Sequence, residues 1–297
     1  MKKLSPAVAI WLAWFITAAN LVVAKYAVPY VTSALFLFFS CVGAVLCFVP
    51  YLNRTGGWKL LLDKKLFWQY LGLGTLGTAL PMTVFMIALN YTTPTNGAIL
   101  NQFEIVYSLL LAWLLLGERP TLKQLGGSVL VIAGVTVLLW QAGLSVQLKG
   151  DLMIVGCLWM FQLSHIFAKK LPAAMLPGQI AAARALFALP ALFLLIIYVA
   201  CTQGLMFVPT PALWGTLAFS AAINYFLGNT VWYYAIRHMA LGKATAIILS
   251  YPVMTFVLSV LLGLDKLTLF KILGLILALG GAYIVTGTVG KQGDAAK

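Results

Sequence analysis

Ten long apolar stretches, separated by short segments that carry most of the charges, make up nearly the whole chain. A membrane-crossing helix needs about 20 predominantly apolar residues, and each stretch is long enough or nearly so. The stretches are continuous rather than alternating, which excludes a transmembrane barrel. The pattern predicts an all-α, polytopic membrane protein with ten transmembrane helices, at residues 6–24, 31–51, 67–90, 94–116, 122–140, 152–168, 178–201, 211–234, 244–264 and 267–289.

The composition agrees with a membrane protein. Of the 297 residues, 63% are hydrophobic and only 8% are charged, which is too little charge to cover a soluble core of this size. The net charge of +13 does not point to nucleic acid, because the lysines and arginines lie between the apolar stretches. The four cysteines fall inside apolar stretches without metal-ligand spacing, so they are interpreted as small buried hydrophobes. No metal and no cofactor are expected.

The basic residues are divided unequally between the two sides of the membrane. With the N-terminus inside, the inner segments hold 14 lysines and arginines and the outer segments hold 4. Basic residues accumulate in short loops on the cytoplasmic side. The bias therefore predicts that both termini are cytoplasmic, that the number of spans is even, and that the protein resides in the cytoplasmic (inner) membrane.

The chain repeats itself at a shift of 147 residues, without gaps over some fifty positions. Identical or similar residues meet at this shift, namely Ala88 with Ala235, Glu118 with Asp265, Thr121 with Thr268, and Gly134 with Gly281. Each half, 1–145 and 146–297, holds five predicted helices. Because five is odd, the second half enters the membrane from the opposite side, and such inverted repeats are typical of secondary transporters with a site near the midplane.

The repeated segments also carry a resemblance to a known family. The stretches LLLAWLLLGERPTLKQLGGSVLVIAGV (109–135) and SVLLGLDKLTLFKILGLILALGGAYIV (259–285) resemble the ends of the two EamA modules of the drug/metabolite transporter superfamily. The similarity covers nearly the whole chain as two tandem modules. It implies ten helices in two inverted five-helix repeats, alternating access around a central cavity, and export of amino acids or related metabolites.

The strongest candidate for a site is a carboxylate, Glu104, near the middle of the fourth span. A charged residue at the bilayer centre costs roughly 2.5–3.5 kcal/mol on insertion scales, so Glu104 should face protein or a water-filled cavity. Asn101 and Ser108 share its helix face, and the repeat aligns it with Tyr251. We expect Glu104 to couple protons or bind a cation. The alternative is a packing role, locked to Asn101, Gln102 or a neighbouring helix.

Aromatic and amide side chains extend the candidate site. Trp14 and Trp159 lie near the centres of their spans, where their faces suit a cation, although packing or lipid contact is an equal alternative. Tyr225, Asn229 and Trp232 recur at helical spacing on one face, beside Asn224, where a structural hydrogen bond is as good an interpretation as a substrate contact. The predicted substrate-binding residues are Glu104, Asn101, Trp14, Trp159, Asn224, Tyr225, Asn229, Trp232 and Tyr251.

Other polar residues within or near the spans have a structural interpretation. Arg184 is expected to snorkel to the inner headgroups rather than to pair with a substrate carboxylate. His165 is expected to be a hydrogen-bonded interior histidine rather than a proton relay. Kinks are predicted at Pro81 and at Tyr251-Pro252. Glu118 and Asp265 are interpreted as helix-junction residues, and six glycines as close helix contacts, at positions 72, 74, 77, 274, 280 and 281.

These features predict a secondary active transporter, and not an enzyme. It would move a small polar or amphipathic metabolite (an amino acid, an amine or an organic cation) by alternating access, as a proton-coupled exporter. The alternative is a lipid-linked substrate translocase, or flippase, of the same fold. An intramembrane enzyme finds little support, because the chain has two histidines and no phosphate-cradling loop. The expected partners are a small-molecule substrate and membrane lipids, without nucleic acid, and a homodimer is left open.

Overall fold

The structure is a computed structural model that describes residues 4–88, 90–92, 97, 100–139, 147–263 and 268–286. Within these ranges the regular elements are all helical. The α-helices are α1 (Pro6–Lys25), α2 (Ser33–Thr55), α3 (Gly57–Leu61), α4 (Phe67–Gly74), α5 (Leu80–Ala88), α6 (Glu104–Leu116), α7 (Leu122–Leu139), α8 (Leu148–Lys170), α9 (Pro177–Thr202), α10 (Pro211–Phe219), α11 (Asn229–His238), α12 (Leu241–Ile248), α13 (Tyr251–Leu261) and α14 (Leu269–Thr286).

Helical structure lies within every one of the ten predicted spans, and the all-α prediction is confirmed for the described residues. Five helical segments are long and apolar enough to cross a membrane, at Pro6–Lys25, Ser33–Thr55, Leu148–Lys170, Pro177–Thr202 and Leu241–Leu261. Shorter apolar helices lie at Asn101–Leu116, Leu122–Val137 and Leu269–Val285. The chain is therefore a multi-pass membrane protein, and the count of ten crossings stays a prediction. The predicted module boundary at 145/146 and the junction residue Asp265 lie outside the described residues.

Two membrane segments contain a wider π-helical turn at repeat-equivalent positions. In the first half, Thr75–Ala79 joins α4 to α5, and in the second half Ser220–Gly228 joins α10 to α11. The 147-residue shift carries the first π segment into the second. Pro81 follows the first π segment closely, which fits the predicted kink, because proline cannot donate the hydrogen bond that an α-helix would give to the Gly77 carbonyl.

Two further segments are broken at repeat-equivalent positions. A short 3-10 turn, Asn101–Phe103, precedes α6, and a turn at Leu249–Ser250 separates α12 from α13. The shift of 147 carries residues 101–103 onto 248–250. Pro252 lies in the first turn of α13, where a proline is tolerated, so the predicted kink at Tyr251-Pro252 is confirmed as a break. Discontinuous helices of this kind expose backbone ends that transporters use for binding.

The last helices of the two halves pack against each other through small residues. A Cβ added to Gly134 would lie 2.3 Å from the Ala278 amide nitrogen, and one added to Gly281 would lie 2.7 Å from the Val131 amide nitrogen. Val131 and Ala278 are themselves 147 residues apart, so the contact is reciprocal, as a two-fold axis requires. Higher residue numbers on α7 meet lower residue numbers on α14. The two helices are therefore antiparallel, and the two-fold axis that relates them is perpendicular to both, which is the geometry of an inverted repeat.

The first helix of each half packs into the other half. Helix α1 contacts α11 and α13, and its counterpart α8 contacts α5 and α6. The core of buried apolar side chains runs through these contacts.

The prediction that Gly280 makes a close helix contact is wrong, because a Cβ there would meet nothing within 4 Å. Gly72, Gly74 and Gly77 do lie against neighbouring helices as predicted.

The predicted junction residue Glu118 joins three segments at one end of the bundle. Its Oε2 accepts a hydrogen bond of 2.6 Å from the Leu241 amide at the start of α12, and its Oε1 forms an ion pair with Lys169 at the end of α8. A carboxylate is favourable at a helix N-terminus, where amide groups lack helical partners. Lys169 also donates to the Met239 carbonyl at 3.1 Å, so the loops of both halves are tied together here.

Candidate functional site

The Glu104 carboxylate is held by a side chain from the other half of the chain. Glu104 is the first residue of α6, directly after the 3-10 turn, and its Oε1 accepts a hydrogen bond of 2.6 Å from Gln162 Nε2 on α8. Glu104 is partly exposed, whereas Gln162 is completely buried. The carboxylate therefore has a protein partner from the other half of the chain.

Gln162 belongs to a chain of hydrogen bonds that begins and ends on α6, so that the helix itself closes the chain into a ring. Its Oε1 accepts from Thr245 Oγ1 at 3.4 Å, and Thr245 Oγ1 accepts from Ser108 Oγ at 2.8 Å. Ser108 lies one helical turn after Glu104, on the face that was predicted. Ser108 and Thr245 are both buried, so this ring, defined as Glu104, Gln162, Thr245 and Ser108, is a polar network among apolar side chains. Buried networks of this kind fix the position of their members when every member has a partner.

Two further predicted residues lie outside the ring. Asn101 is partly buried, in the 3-10 turn, and its side chain makes no hydrogen bond to the residues that the structure describes. Tyr251, the repeat equivalent of Glu104, is partly buried and is the first residue of α13, directly after the break.

Arg184 corrects the expectation of a snorkelling side chain. Its guanidinium turns inward from α9: Nε donates to Thr78 Oγ1 at 3.0 Å, Nη1 to the Tyr233 hydroxyl at 3.4 Å, and Nη2 to the Gly77 carbonyl. Gly77 lies four residues before Pro81. Arg184 therefore donates to the carbonyl that would accept from the amide at position 81 if that residue were not proline. The missing side chain at Gly77 also makes room, because a Cβ there would lie 3.3 Å from Arg184 Nε. The Gly77 carbonyl and the space beside it explain why the arginine stays in the interior.

The two predicted tryptophans have different surroundings. Trp14 is 6% exposed and its Nε1 donates a hydrogen bond of 2.9 Å to Ser250 Oγ, at the break between α12 and α13. Trp159 is 37% exposed, and no hydrogen bond involves its side chain among the described residues. The structure thus brings Trp14 to the broken helix and leaves Trp159 at the periphery of the bundle.

The predicted face of the eighth span is divided by the π segment. Asn224 and Tyr225 lie inside this segment and Asn229 directly after it, all three partly buried, so the spacing of a straight α-helix does not apply to them. Trp232 is 7% exposed and donates from Nε1 to His165 Nδ1 at 3.4 Å. His165 is accordingly a hydrogen-bonded interior histidine, as expected, and it lies one turn after Gln162 on α8.

Several residues of this region were not among the predicted site residues, namely Gln162, Thr245, Ser250, Tyr233 and Arg184. Hydroxyl and amide side chains occur throughout the spans, and their spacing along one helix does not reveal partners on another. The sequence does carry one signal for Arg184, namely Pro81, which frees a carbonyl for a donor on another helix.

In the described residues, no group of three or more histidine, cysteine or acidic side chains could hold a metal ion. Cys41 and Cys157 are buried as expected, but Cys201 is exposed, which corrects that interpretation.

Comparison with known proteins places this geometry in context. The chain is 25% identical over 281 residues to the "Uncharacterized transporter YyaM" of Bacillus subtilis (strain 168), covering 92% of this chain and 90% of that protein. It is 25% identical over 125 residues to an "Uncharacterized transporter" of Methanothermobacter thermautotrophicus, covering 40% of this chain and 36% of that protein. A crystal structure with 15% sequence identity superposes with a TM-score of 0.80 and covers 97% of this chain and 98% of that one, which shows a shared fold.

The sequence profile of one family matches both halves of the chain. The EamA-like transporter family matches residues 4–140 and again residues 148–287. The two matches coincide with the two sets of helices that are related by the 147-residue shift. The chain belongs to the EamA-like transporter family.

Proposed function

We propose that this membrane transporter is a secondary active carrier in the cytoplasmic membrane, with both termini inside, and that it moves a small metabolite bearing a positive group. Amino acids, amines and organic cations are the substrate classes. The observation that supports this is the Glu104 carboxylate, contributed by the first half and held at 2.6 Å by Gln162 of the second half. A substrate bound there contacts both halves, so its binding is sensitive to their relative movement.

The surroundings of Glu104 suit a cation. Tyr251, the repeat equivalent of Glu104, begins α13 directly after the break. The indole of Trp14 is anchored at Ser250, the residue before Tyr251. Aromatic faces attract ammonium groups, and the attraction grows where water is excluded. The broken helices on either side add backbone groups that a membrane protein otherwise keeps satisfied within its helices.

The direction of the hydrogen bonds in the ring supports the proposal of proton coupling. An ionised Glu104 only accepts, so the Gln162 amide nitrogen faces it and the amide oxygen faces Thr245. A protonated Glu104 donates, which favours the reversed amide. Thr245 must then accept from Gln162. The protonation state of one carboxyl is thereby transmitted from α6 through α8 to α12, and a proton and a cationic substrate compete for the same oxygen atoms.

Ligand-induced thermal stabilisation of the purified protein tests substrate binding. A ligand that binds the folded state raises its stability by mass action. We expect amino acids, amines or quaternary ammonium compounds to raise the unfolding temperature of the wild type but not of Glu104→Gln. Asp63→Asn is the matched control, because it also replaces a carboxylate by an amide, but in the α3–α4 loop, where Asp63 accepts from the Lys65 amide. An equal response of Glu104→Gln and wild type would remove Glu104 from the binding site.

Transport in proteoliposomes tests the coupling. We expect uptake of a stabilising ligand to respond to an imposed pH gradient and to acidify or alkalinise the lumen in the wild type. Glu104→Gln should lose both the proton flux and the pH response. Asp63→Asn should keep them. Full pH-dependent transport by Glu104→Gln would contradict proton coupling through Glu104, but it would not contradict the proposal that the protein is a transporter.

A further inference from the structure

The connection between α2 and α4 carries more positive charge than any other segment between the predicted spans. Four basic residues fall within residues 54–65, named here the basic segment, whereas the other connections and the termini hold two or fewer. They are Arg54, Lys59, Lys64 and Lys65, and all four are exposed. The one acid of the segment, Asp63, caps a turn by accepting a hydrogen bond of 2.9 Å from the Lys65 amide. The segment therefore presents an excess of positive charge at one end of the bundle.

The basic segment is folded against the helices on either side of it. Leu61, the last residue of α3, is buried. The Tyr70 hydroxyl on α4 donates a hydrogen bond of 3.0 Å to the Leu60 carbonyl. Trp58 Nε1 donates one of 2.7 Å to Asn53 Oδ1 at the end of α2. The basic side chains thus extend from a backbone that packing and hydrogen bonds hold in place.

Exposed apolar side chains adjoin these charges. Leu62 is 75% exposed and Trp68 is 76% exposed, and the exposed ring of Phe67 lies edge-on to Trp68 at 5.4 Å. Phe67 and Trp68 begin α4, directly after the lysines, at the start of a predicted span. Aromatic residues at the end of a span lie at the level of the lipid headgroups. Positive charge beside apolar surface at this level suits a lipid, which offers a charged headgroup and acyl chains together.

The repeat shows that the fold does not need basic residues at this connection. The shift of 147 carries residues 54–65 onto residues 201–212, which contain no charged residue. That stretch leads from α9 to α10, and an inverted repeat places it at the opposite face of the membrane. The same structural connection is therefore strongly basic at one face and uncharged at the other.

We propose that the basic segment binds the headgroup of an anionic phospholipid. The lipid phosphate meets Lys64 and Lys65, since lysine binds phosphate as a point charge, and the acyl chains lie along Leu62 and Trp68. Basic residues near a membrane surface each add to the attraction for acidic lipids. The inference goes beyond the proposed transport function, because it involves neither Glu104 nor the substrate.

An orienting role for the same charges makes a different prediction. Basic residues in a short connection direct insertion of the chain into the membrane. If they do only that, the folded protein has no preference among lipids. The lipid selectivity of the purified protein therefore decides between the two roles.

The experiment titrates two lipids into the full-length protein in a neutral detergent and follows the midpoint of thermal unfolding. Phosphatidylglycerol and phosphatidylcholine with identical acyl chains are the probes. Phosphatidylglycerol should stabilise the wild type at a concentration about tenfold or more below that of phosphatidylcholine. The double variant Lys64→Gln, Lys65→Gln should lose most of this preference. The double variant Lys123→Gln, Lys170→Gln is the matched control, because it removes two exposed lysines from the same predicted face and should keep the preference.

Three results would overturn the inference. Equal stabilisation of the wild type by both lipids would leave the charges with the orienting role. An equal loss in the two double variants would mean that the lipid responds to the charge of the whole face and not to the basic segment. Glycerol 3-phosphate carries a phosphate without acyl chains, and stabilisation by it at the concentrations that suffice for phosphatidylglycerol would assign the segment to a soluble ligand. The proposed function would stand in each case, because none of these measurements involves Glu104.

Discussion

The indole nitrogen of Trp14 donates a hydrogen bond of 2.9 Å to the hydroxyl of Ser250, 236 positions further along the chain. Ser250 in turn donates to the Ile247 carbonyl at 2.8 Å, inside the turn that separates α12 from α13. The first helix of the first half is thus bonded to the broken helix of the second half. Movement of α1 must either carry this turn along or break the bond.

Replacement of Trp14 by phenylalanine should destabilise the protein modestly. The variant keeps an aromatic ring and removes the N–H donor, and a hydrogen bond between membrane helices contributes about 0.6 kcal/mol on average. The measurement is the midpoint of unfolding in detergent. Trp11→Phe is the matched control, because Trp11 lies edge-on to Trp14 at 5.1 Å and its indole donates to no partner among the described residues. An equal loss in both variants would assign the effect to ring size instead of the hydrogen bond.

The Ser108–Thr245 bond should appear as coupling in a double-mutant cycle. Ser108→Ala and Thr245→Val each break the 2.8 Å bond, so the double variant should lose about 0.6 kcal/mol less than the sum of the single losses. Ser128→Ala is the control for removing a buried hydroxyl. Ser128 is 2% exposed and its hydroxyl has no hydrogen-bond partner among the described residues, so its removal should be neutral or stabilising. Strict additivity would contradict the ring as a network.

Lys169 and Lys170 are adjacent lysines with different environments, and they should respond differently to the same substitution. Lys169 pairs with Glu118, with side-chain exposures of 15% and 21%, whereas Lys170 is exposed. Lys169→Gln should lower the free energy of unfolding by about 1 kcal/mol, since a partly buried pair is screened less than a surface pair. Lys170→Gln should have almost no effect. Added salt should weaken the wild type towards the Lys169→Gln value.

Helices α7 and α14 each carry one glycine that lies against the other helix and one that does not, which allows a test of the repeat axis. Gly134→Ala and Gly281→Ala each place a Cβ against backbone atoms of the other helix and should destabilise by about 1–3 kcal/mol. Gly126→Ala and Gly280→Ala place theirs in open space and should be tolerated. The unfolding midpoints of the four variants are the measurement that tests how closely α7 and α14 approach. Tolerance of Gly134→Ala would mean that the two helices do not lie this close.

The sequence predicts the elements of this fold better than their contacts. Apolar length locates the helices because the bilayer imposes it. The 147-residue shift relates the breaks and π segments of the two halves to each other, but the π segments themselves were not predicted. The inward position of Arg184 could not be predicted from its own helix. It depends on a carbonyl freed by Pro81, on another helix, and on the open space beside Gly77.

The candidate site shows the same limit. Glu104 was identified because an acid within an apolar span is conspicuous, and Ser108 because it lies one turn away. Gln162 and Thr245 were not predicted as site residues, because neutral polar residues are tolerated in many membrane helices. Their role is determined by a partner on a distant helix. Three-dimensional proximity across the two halves, and not helical spacing, assembles the ring.

The exchange of first helices between the halves has a consequence for biosynthesis. Helix α1 is synthesised long before the helices against which it packs, α11 and α13. Until they arrive, the buried face of α1 and its Trp14 N–H have only lipid or the membrane insertion machinery as neighbours. The packing of α1 therefore forms late in synthesis. A chain truncated before α11 would present an orphaned helix to the quality-control proteases, even with its first half intact.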